Sequence, residues 1–359
     1  MRHHATGLAL AASLVAASLA AASLVAALFG CASTPAIEDA DGRIVAGSIA
    51  SLERVELNGR KEWITIRGRD ADRPVLLFLA GGPGASELAT VRHTLGGLED
   101  HFVVVVWDQP GTGKSYRAMR RRDITLETYL EDAGALLDFL AGRLGREKVY
   151  VVGESWGSVL AMLIAARSPE RVEAVFGTGQ MVAFLENDLA CYRLMMQWAR
   201  ERGDTEKVNK LERQGPPPYY GRGVARKQAT YLMDTFAYMR EVSGVRTPGN
   251  TLKDIMSSEY TLRDKINWFR GLVEAQNYVY PRLWDVDLRA AAPRLEVPVT
   301  FLAGRYDINA SLPLLESYYE MLEAPSKEIV WFEHSGHAPW ASEPDRFVAE
   351  LAKRAGDRH

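Results

Sequence analysis

The sequence predicts an α/β fold: a mostly parallel sheet with helices on both faces and a helical insertion capping one end. Three observations predict it. Short continuous runs of β-branched and aromatic residues recur along the chain, as expected of strands buried on both faces. Segments with apolar residues at helical spacing lie between them. The alternation then stops between 181 and 293, where helical runs follow one another without a strand.

The first element is not part of the fold. MRHHATGLALAASLVAASLAAASLVAALFGC has one Arg near its start, then a charge-free Ala/Leu-rich run ending at Cys31. That is the build of a secretory signal over 1–30, to be set aside from fold reasoning. The stretch Leu28-Phe29-Gly30-Cys31 resembles the lipobox of bacterial lipoproteins, in which cleavage before the Cys leaves it lipidated. Phe29 stands where a small residue is usual. A membrane contact through a lipid at Cys31, and hence a place in a bacterial cell envelope, is the expectation. Plain export to the periplasm or medium is the alternative. So is an uncleaved anchor, since 7–30 exceeds the roughly 20 apolar residues a bilayer span needs. Residues 31–42, small and polar, read as a tether.

The core then occupies 43–180 and 294–359. SIASLERVEL and KEWITIRG flank Asn58-Gly59, two residues that tolerate positive φ, and predict a tight hairpin. The runs PVLLFLA (74–80), FVVVVWD (102–108), KVYVVGE (148–154), RVEAVFGTG (171–179), PVTFLAGR (298–305) and KEIVWFEH (327–334) predict six further strands. Leu126, Leu130, Ala133, Leu137 and Leu140 fall on one helix face. Further helices are predicted over 158–167, 313–322 and 345–354. The cap, 181–293, holds helical runs at 185–202, 225–242 and 262–278, separated by GPPPYYGRG and RTPGN. Its many aromatics read mainly as packing, with a few lining a pocket.

Composition excludes several functions. A net charge of −3 and the lack of a broad basic face argue against nucleic acid, and Arg120, Arg121 and Arg122 read as a solvated patch. The seven His are scattered and form no metal-ligand spacing, so neither a metal nor a cofactor is expected. Cys191 reads as a buried small apolar residue. The stretch WDQPGTGKSY (107–116) resembles the end of a phosphate-binding loop. That loop needs G-x-x-x-x-G-K-[ST], and the position five before Gly113 is Asp108. The residues after Ser115 also lack the apolar face of the helix whose N–H groups would hold phosphate. A tight loop at the carboxyl edge of the sheet is the better reading, and such edges carry sites.

Gly153-Glu154-Ser155-Trp156-Gly157 has the form G-x-S-x-G, after a predicted strand and before a predicted helix, the context that motif requires. The sharp turn lifts the Ser155 hydroxyl clear of the sheet. A serine is a poor nucleophile until a base takes its proton. His337, in the loop HSGHAPW after the last strand, is the candidate base; His334, at the strand's end, is the lesser one. An acid must fix the imidazole tautomer. Asp307 in GRYD, at another strand's carboxyl end, is preferred to Asp285 and Asp287. The oxyanion needs two N–H donors. The Trp156 N–H is one; Gly82 in AGGPG is the second, with Gly81 after it.

The order Ser155, Asp307, His337 is that of α/β-hydrolases, and the resemblance extends further. AGGPG, DQPGTGKS, GESWGS, GRYD and HSGH are similar, in the same order, to the H-G-G-P-G, D-Q-R-G-x-G-x-S, G-G-S-W-G-S, G-R-Y-D and G-x-G-H loops of the proline iminopeptidase (prolyl aminopeptidase) family of serine peptidases. The match covers roughly 60–180 and 295–355. Ala80, Pro110 and Glu154 stand where that family has His, Arg and Gly. The resemblance implies an aminopeptidase releasing N-terminal proline or a small residue through an acyl-enzyme. A carboxylesterase or amidase with the same triad is the alternative, and a non-catalytic binding lipoprotein the rival of another class. The substrate is expected to be a small peptide, amide or ester. In that family acidic cap residues hold the substrate's amino terminus. Glu186, Glu241 and Glu274 lie in predicted cap helices, and no motif carries the role onto any of them.

Overall fold

The computed structural model describes residues 32–245 and 251–356. The predicted signal at 1–30 and its Cys31 lie outside the described residues. Strands β1 (Ile49–Leu57) and β2 (Arg60–Gly68) form the predicted hairpin, with Leu57 opposite Arg60. Asn58 and Gly59 both take positive φ, 47° and 77°, the turn whose twist suits paired strands. After β3 (Val75–Leu79) come helix α1 (Leu88–Thr94) and β4 (Val103–Asp108). Then α2 (Leu126–Leu144), β5 (Val149–Glu154), α3 (Trp156–Arg167) and β6 (Val172–Thr178) alternate as expected.

Next come helices α4 (Phe184–Glu201), α5 (Thr205–Gln214), α6 (Val224–Ser243), α7 (Thr251–Ile255), α8 (Leu262–Tyr278) and α9 (Leu288–Ala291). The chain returns through β7 (Val299–Gly304), α10 (Leu312–Met321), β8 (Lys327–Phe332), α11 (Pro339–Ser342) and α12 (Pro344–Gly356). The eight strands form one sheet in the order β1-β2-β4-β3-β5-β6-β7-β8. The β1–β2 and β2–β4 pairs are antiparallel and the rest parallel.

Alternation along the strands builds two cores. Leu77 and Leu79 of β3 face a cluster with Leu136 and Leu140 of α2, Val159 and Leu163 of α3 and Leu315 of α10. Leu76 and Phe78 face the other, with Leu88 of α1, Trp340 of α11 and Phe347 of α12. A third cluster, around Tyr192, Met195 and Tyr231, holds α4, α5 and α6 together within the insertion. Helix ends follow local chemistry. Thr125 and Thr128 make a reciprocal capping box on α2, and Gly145 closes it at φ 66°. Thr261 and Asp264 do the same for α8.

The structure differs from the sequence expectation at the tether. Ser33 N–H donates to Ser258 O (3.1 Å), and Thr34 Oγ1 donates to Glu259 Oε1 (2.9 Å). Arg67 donates to Thr34 Oγ1 and Pro35 O (2.7 and 2.6 Å). Ile37 is buried. Residues 33–37 are therefore seated on the body, because a buried guanidinium and a buried carboxylate each need partners that this segment supplies.

Candidate active site

All the predicted site residues reach the carboxyl edge of the parallel strands. Ser155 follows β5 at φ 53°, ψ −116°, a backbone region that costs energy for any residue with a side chain. The turn is held by the Ser155 N–H donating to Thr178 O (2.9 Å) and by Ser158 Oγ donating to Ser155 O (2.5 Å). The flanking glycines are steric necessities. A Cβ on Gly157 would run into the backbone of Leu79 and Ala80, and one on Gly153 into the carbonyl of Gly157.

Asp307 and His337 come from the loops after β7 and β8. His337 Nδ1 lies 2.9 Å from Asp307 Oδ2 and 3.2 Å from Oδ1. Asp307 Oδ1 also accepts the N–H groups of Asn309 and Ala310, both at 2.9 Å, so the carboxylate is fixed from two sides. Burial pulls the His337 imidazole down. The Asp307 charge and hydrogen bond, helped by Glu154, more than offset that and push it up to about 8. Phe236 of α6 stands edge-on to the imidazole, ring centres 6.1 Å apart. His334 and Asp285 are exposed, and Asp287 caps α9 and pairs with Arg289.

Ser155, Trp156, Gly81, Gly82 and His337 all line one cavity of about 340 Å³. Among the described residues no hydrogen bond yet joins the Ser155 hydroxyl to the imidazole, a contact that often tightens only with substrate bound. The insertion supplies the cavity's other walls: Phe184 from α4, Leu232, Met233 and Phe236 from α6, and Leu272 and Gln276 from α8. Asn187 of α4 ties these walls to the acid loop, accepting from Ser311 N–H (2.8 Å) and donating to Asn309 O (2.9 Å).

The stretch 107–116 is structural. Gln109 accepts from Trp156 Nε1 (2.9 Å) and donates to Ala80 O (3.1 Å), joining the nucleophile turn to the glycine loop. Asp108 accepts from Ser86 Oγ (2.5 Å) and from Lys114 N–H (2.7 Å). Burial raises its carboxyl, and those two hydrogen bonds hold it at about 7. The Lys114 ammonium donates to Asp264 (2.9 Å).

Two carboxyls that sequence reasoning did not assign also face the cavity. Glu154 precedes the serine and accepts a backbone hydrogen bond from Gly81; Glu87 stands just before α1 and makes no capping hydrogen bond to it. Burial raises both, Glu87 further because Glu154, Asp254 and Asp108 lie near. Neither Lys nor Arg is among the residues lining this cavity. The three cap glutamates are engaged elsewhere: Glu186 with Arg289, Glu241 with Arg202 and Glu274 with Arg121. The only sequence signal for the pair is Glu154, a departure within the nucleophile loop; Glu87 follows no motif.

A family profile described as the alpha/beta hydrolase fold matches residues 74–338. The chain is 28% identical over 318 residues to a probable aminopeptidase, YbaC, of Bacillus subtilis, covering 86% of this chain and 97% of that protein. It is 25% identical over 312 residues to a proline iminopeptidase of Heyndrickxia coagulans, covering 86% and 95% of the two. Among solved structures, a proline iminopeptidase of Mycobacterium smegmatis superposes with a TM-score of 0.57 at 20% identity, covering 86% of this chain and 98% of that one.

Proposed function

The chain belongs to the α/β-hydrolase family, and from that premise we propose that it is a serine aminopeptidase releasing N-terminal proline or another small residue. The observation that carries this reading is the Asp307–His337 pair, which shares a cavity with Ser155 on its strained turn. Ser155 Oγ attacks the scissile carbonyl as His337 Nε2 takes its proton, and Asp307 stabilises the imidazolium. The N–H groups of Gly82 and Trp156 receive the oxyanion. Gly81 is the lesser donor because its N–H already serves Glu154. The tetrahedral intermediate collapses, the leaving amine takes the proton from His337, and water repeats the sequence to free the acyl group.

Two features support a peptide with a free amino terminus. The relatives that match most of the chain carry aminopeptidase and proline iminopeptidase names. The cavity also holds Glu87 and Glu154 without a lining Lys or Arg, two carboxyl groups whose oxygens can accept from an ammonium group. Phe184, Phe236 and Tyr280 offer apolar walls to a pyrrolidine or a small side chain. Release of free proline from Pro-β-naphthylamide, lost in Ser155→Ala, tests the reading. Cleavage of p-nitrophenyl esters alone would assign an esterase instead. Failure of folded protein to react with a fluorophosphonate at Ser155 would remove catalysis altogether.

A further inference from the structure

Helix α8 carries an apolar stripe that the described chain leaves about half exposed. Leu262, Ile266, Phe269 and Val273 recur at intervals of four, three and four, which sets them on one helical face. They are 40%, 54%, 55% and 53% exposed. Just before this helix, Leu252 and Met256 are exposed as well. Contiguous exposed apolar surface of this kind marks a protein or membrane contact.

Charge beside the stripe selects between those. Arg263, one residue from Leu262, joins Arg54, Lys61 and Arg117 around an open hollow of about 470 Å³. The one carboxylate lining it, Asp264, is already paired with Lys114. Arg120 and Arg122, with Arg121, border a second hollow shared with Glu274 and Tyr278 of the same helix. An apolar face with a basic flank is the build of a helix lying in the plane of an anionic lipid surface.

The path of the chain points the same way. Ser33 is pinned to Ser258, three residues ahead of the Thr261 cap of α8. Residues 5–31 immediately before it carry no charged side chain. An uncleaved anchor or a lipid on Cys31, two of the three fates that the leader predicts, would each deliver a bilayer beside this helix.

We propose that the face formed by α8 and its arginine-rich flank docks on an anionic phospholipid bilayer, with the four apolar side chains in the acyl boundary and the basic hollow around a headgroup phosphate. Leu272 and Gln276, on the same helix, line the catalytic cavity, so docking brings that cavity to the membrane surface. This inference is independent of which bond the enzyme cleaves.

The test uses the full chain reconstituted into vesicles of phosphatidylcholine alone or mixed equally with phosphatidylglycerol. The photoreactive p-benzoylphenylalanine replaces Ile266, Phe269 or, as control, Met321, which is 44% exposed. Met321 ends α10 just before β8, at the opposite edge of the sheet from the cap. On illumination in mixed vesicles, positions 266 and 269 form phospholipid adducts, detected by mass, at about tenfold the control yield. Lys61→Gln and Arg117→Gln each lower that yield about fivefold, as does removing the anionic lipid. Equal yields at 266 and 321, a yield indifferent to phosphatidylglycerol, or crosslinks to a second copy or to residues 5–31 of the same chain would each overturn the proposal.

Discussion

The carboxylate of Asp307 grips His337 Nδ1 at 2.9 Å while its other oxygen is held by two backbone N–H groups. An Asn at 307 keeps an oxygen for those N–H groups, so the loop stays folded. It loses the charge that stabilises the imidazolium and offers no fixed acceptor for the correct tautomer. Asp307→Asn therefore lowers kcat by about 10⁴-fold, by analogy with the measured triad case. Steady-state rates on an activated amide or ester check this, with near-unchanged circular dichroism as the folding control.

A base must be neutral to act, and the His337 imidazole sits at about 8 in the free protein. kcat/KM should accordingly climb with pH and level off above about 8. Glu154 contributes to that elevation through its negative charge. Glu154→Gln removes the charge, destabilises the imidazolium and moves the rising limb to lower pH. A pH–rate profile of the two proteins reads the shift. An unmoved limb would detach Glu154 from the base.

How legible this was varies with the range of the interaction. The Asn58-Gly59 turn, the buried strands and the Gly153 and Gly157 flanks of the serine are local demands, so the sequence carries them openly. Asp307 and His337 were legible because each follows a strand at the same sheet edge. Glu87 was not, since its role depends on α1 bringing it beside Glu154 across the sheet. Helix α5 was missed because Leu211 is its only buried residue, too little for an apolar period. The seating of residues 33–37 depends on Arg67 and Glu259, far away in sequence.

Gly157 illustrates how tightly the nucleophile turn is packed. Its Cα faces the backbone of Leu79 and Ala80, which no side-chain rotation can clear. Gly157→Ala must push β3 and α3 apart, at a cost in the overpacking range of about 1–3 kcal/mol. Chemical denaturation should show a lower midpoint, and labelling of Ser155 should slow because the turn itself is displaced. A midpoint equal to wild type would mean that the sheet yields at this point.

Glu62 sits buried in β2, where Trp107 Nε1 donates to it (2.7 Å). Burial and the neighbouring Asp132 raise its carboxyl to about 9 from an ordinary 4.5, so the folded protein holds it protonated at neutral pH. The unfolded chain releases that proton near 4.5, so between 4.5 and about 9 the folded state binds more protons and stability falls as pH rises. Gln at 62 reproduces the neutral acid, its oxygen accepting from Trp107 and its side chain carrying no charge beside Asp132. Glu62→Gln therefore matches wild type in melting temperature near the acid end of that window and exceeds it increasingly toward the alkaline end. Thermal melts of both proteins at a series of pH values across it measure the divergence. Parallel curves would mean that the folded carboxyl ionises at its ordinary pH.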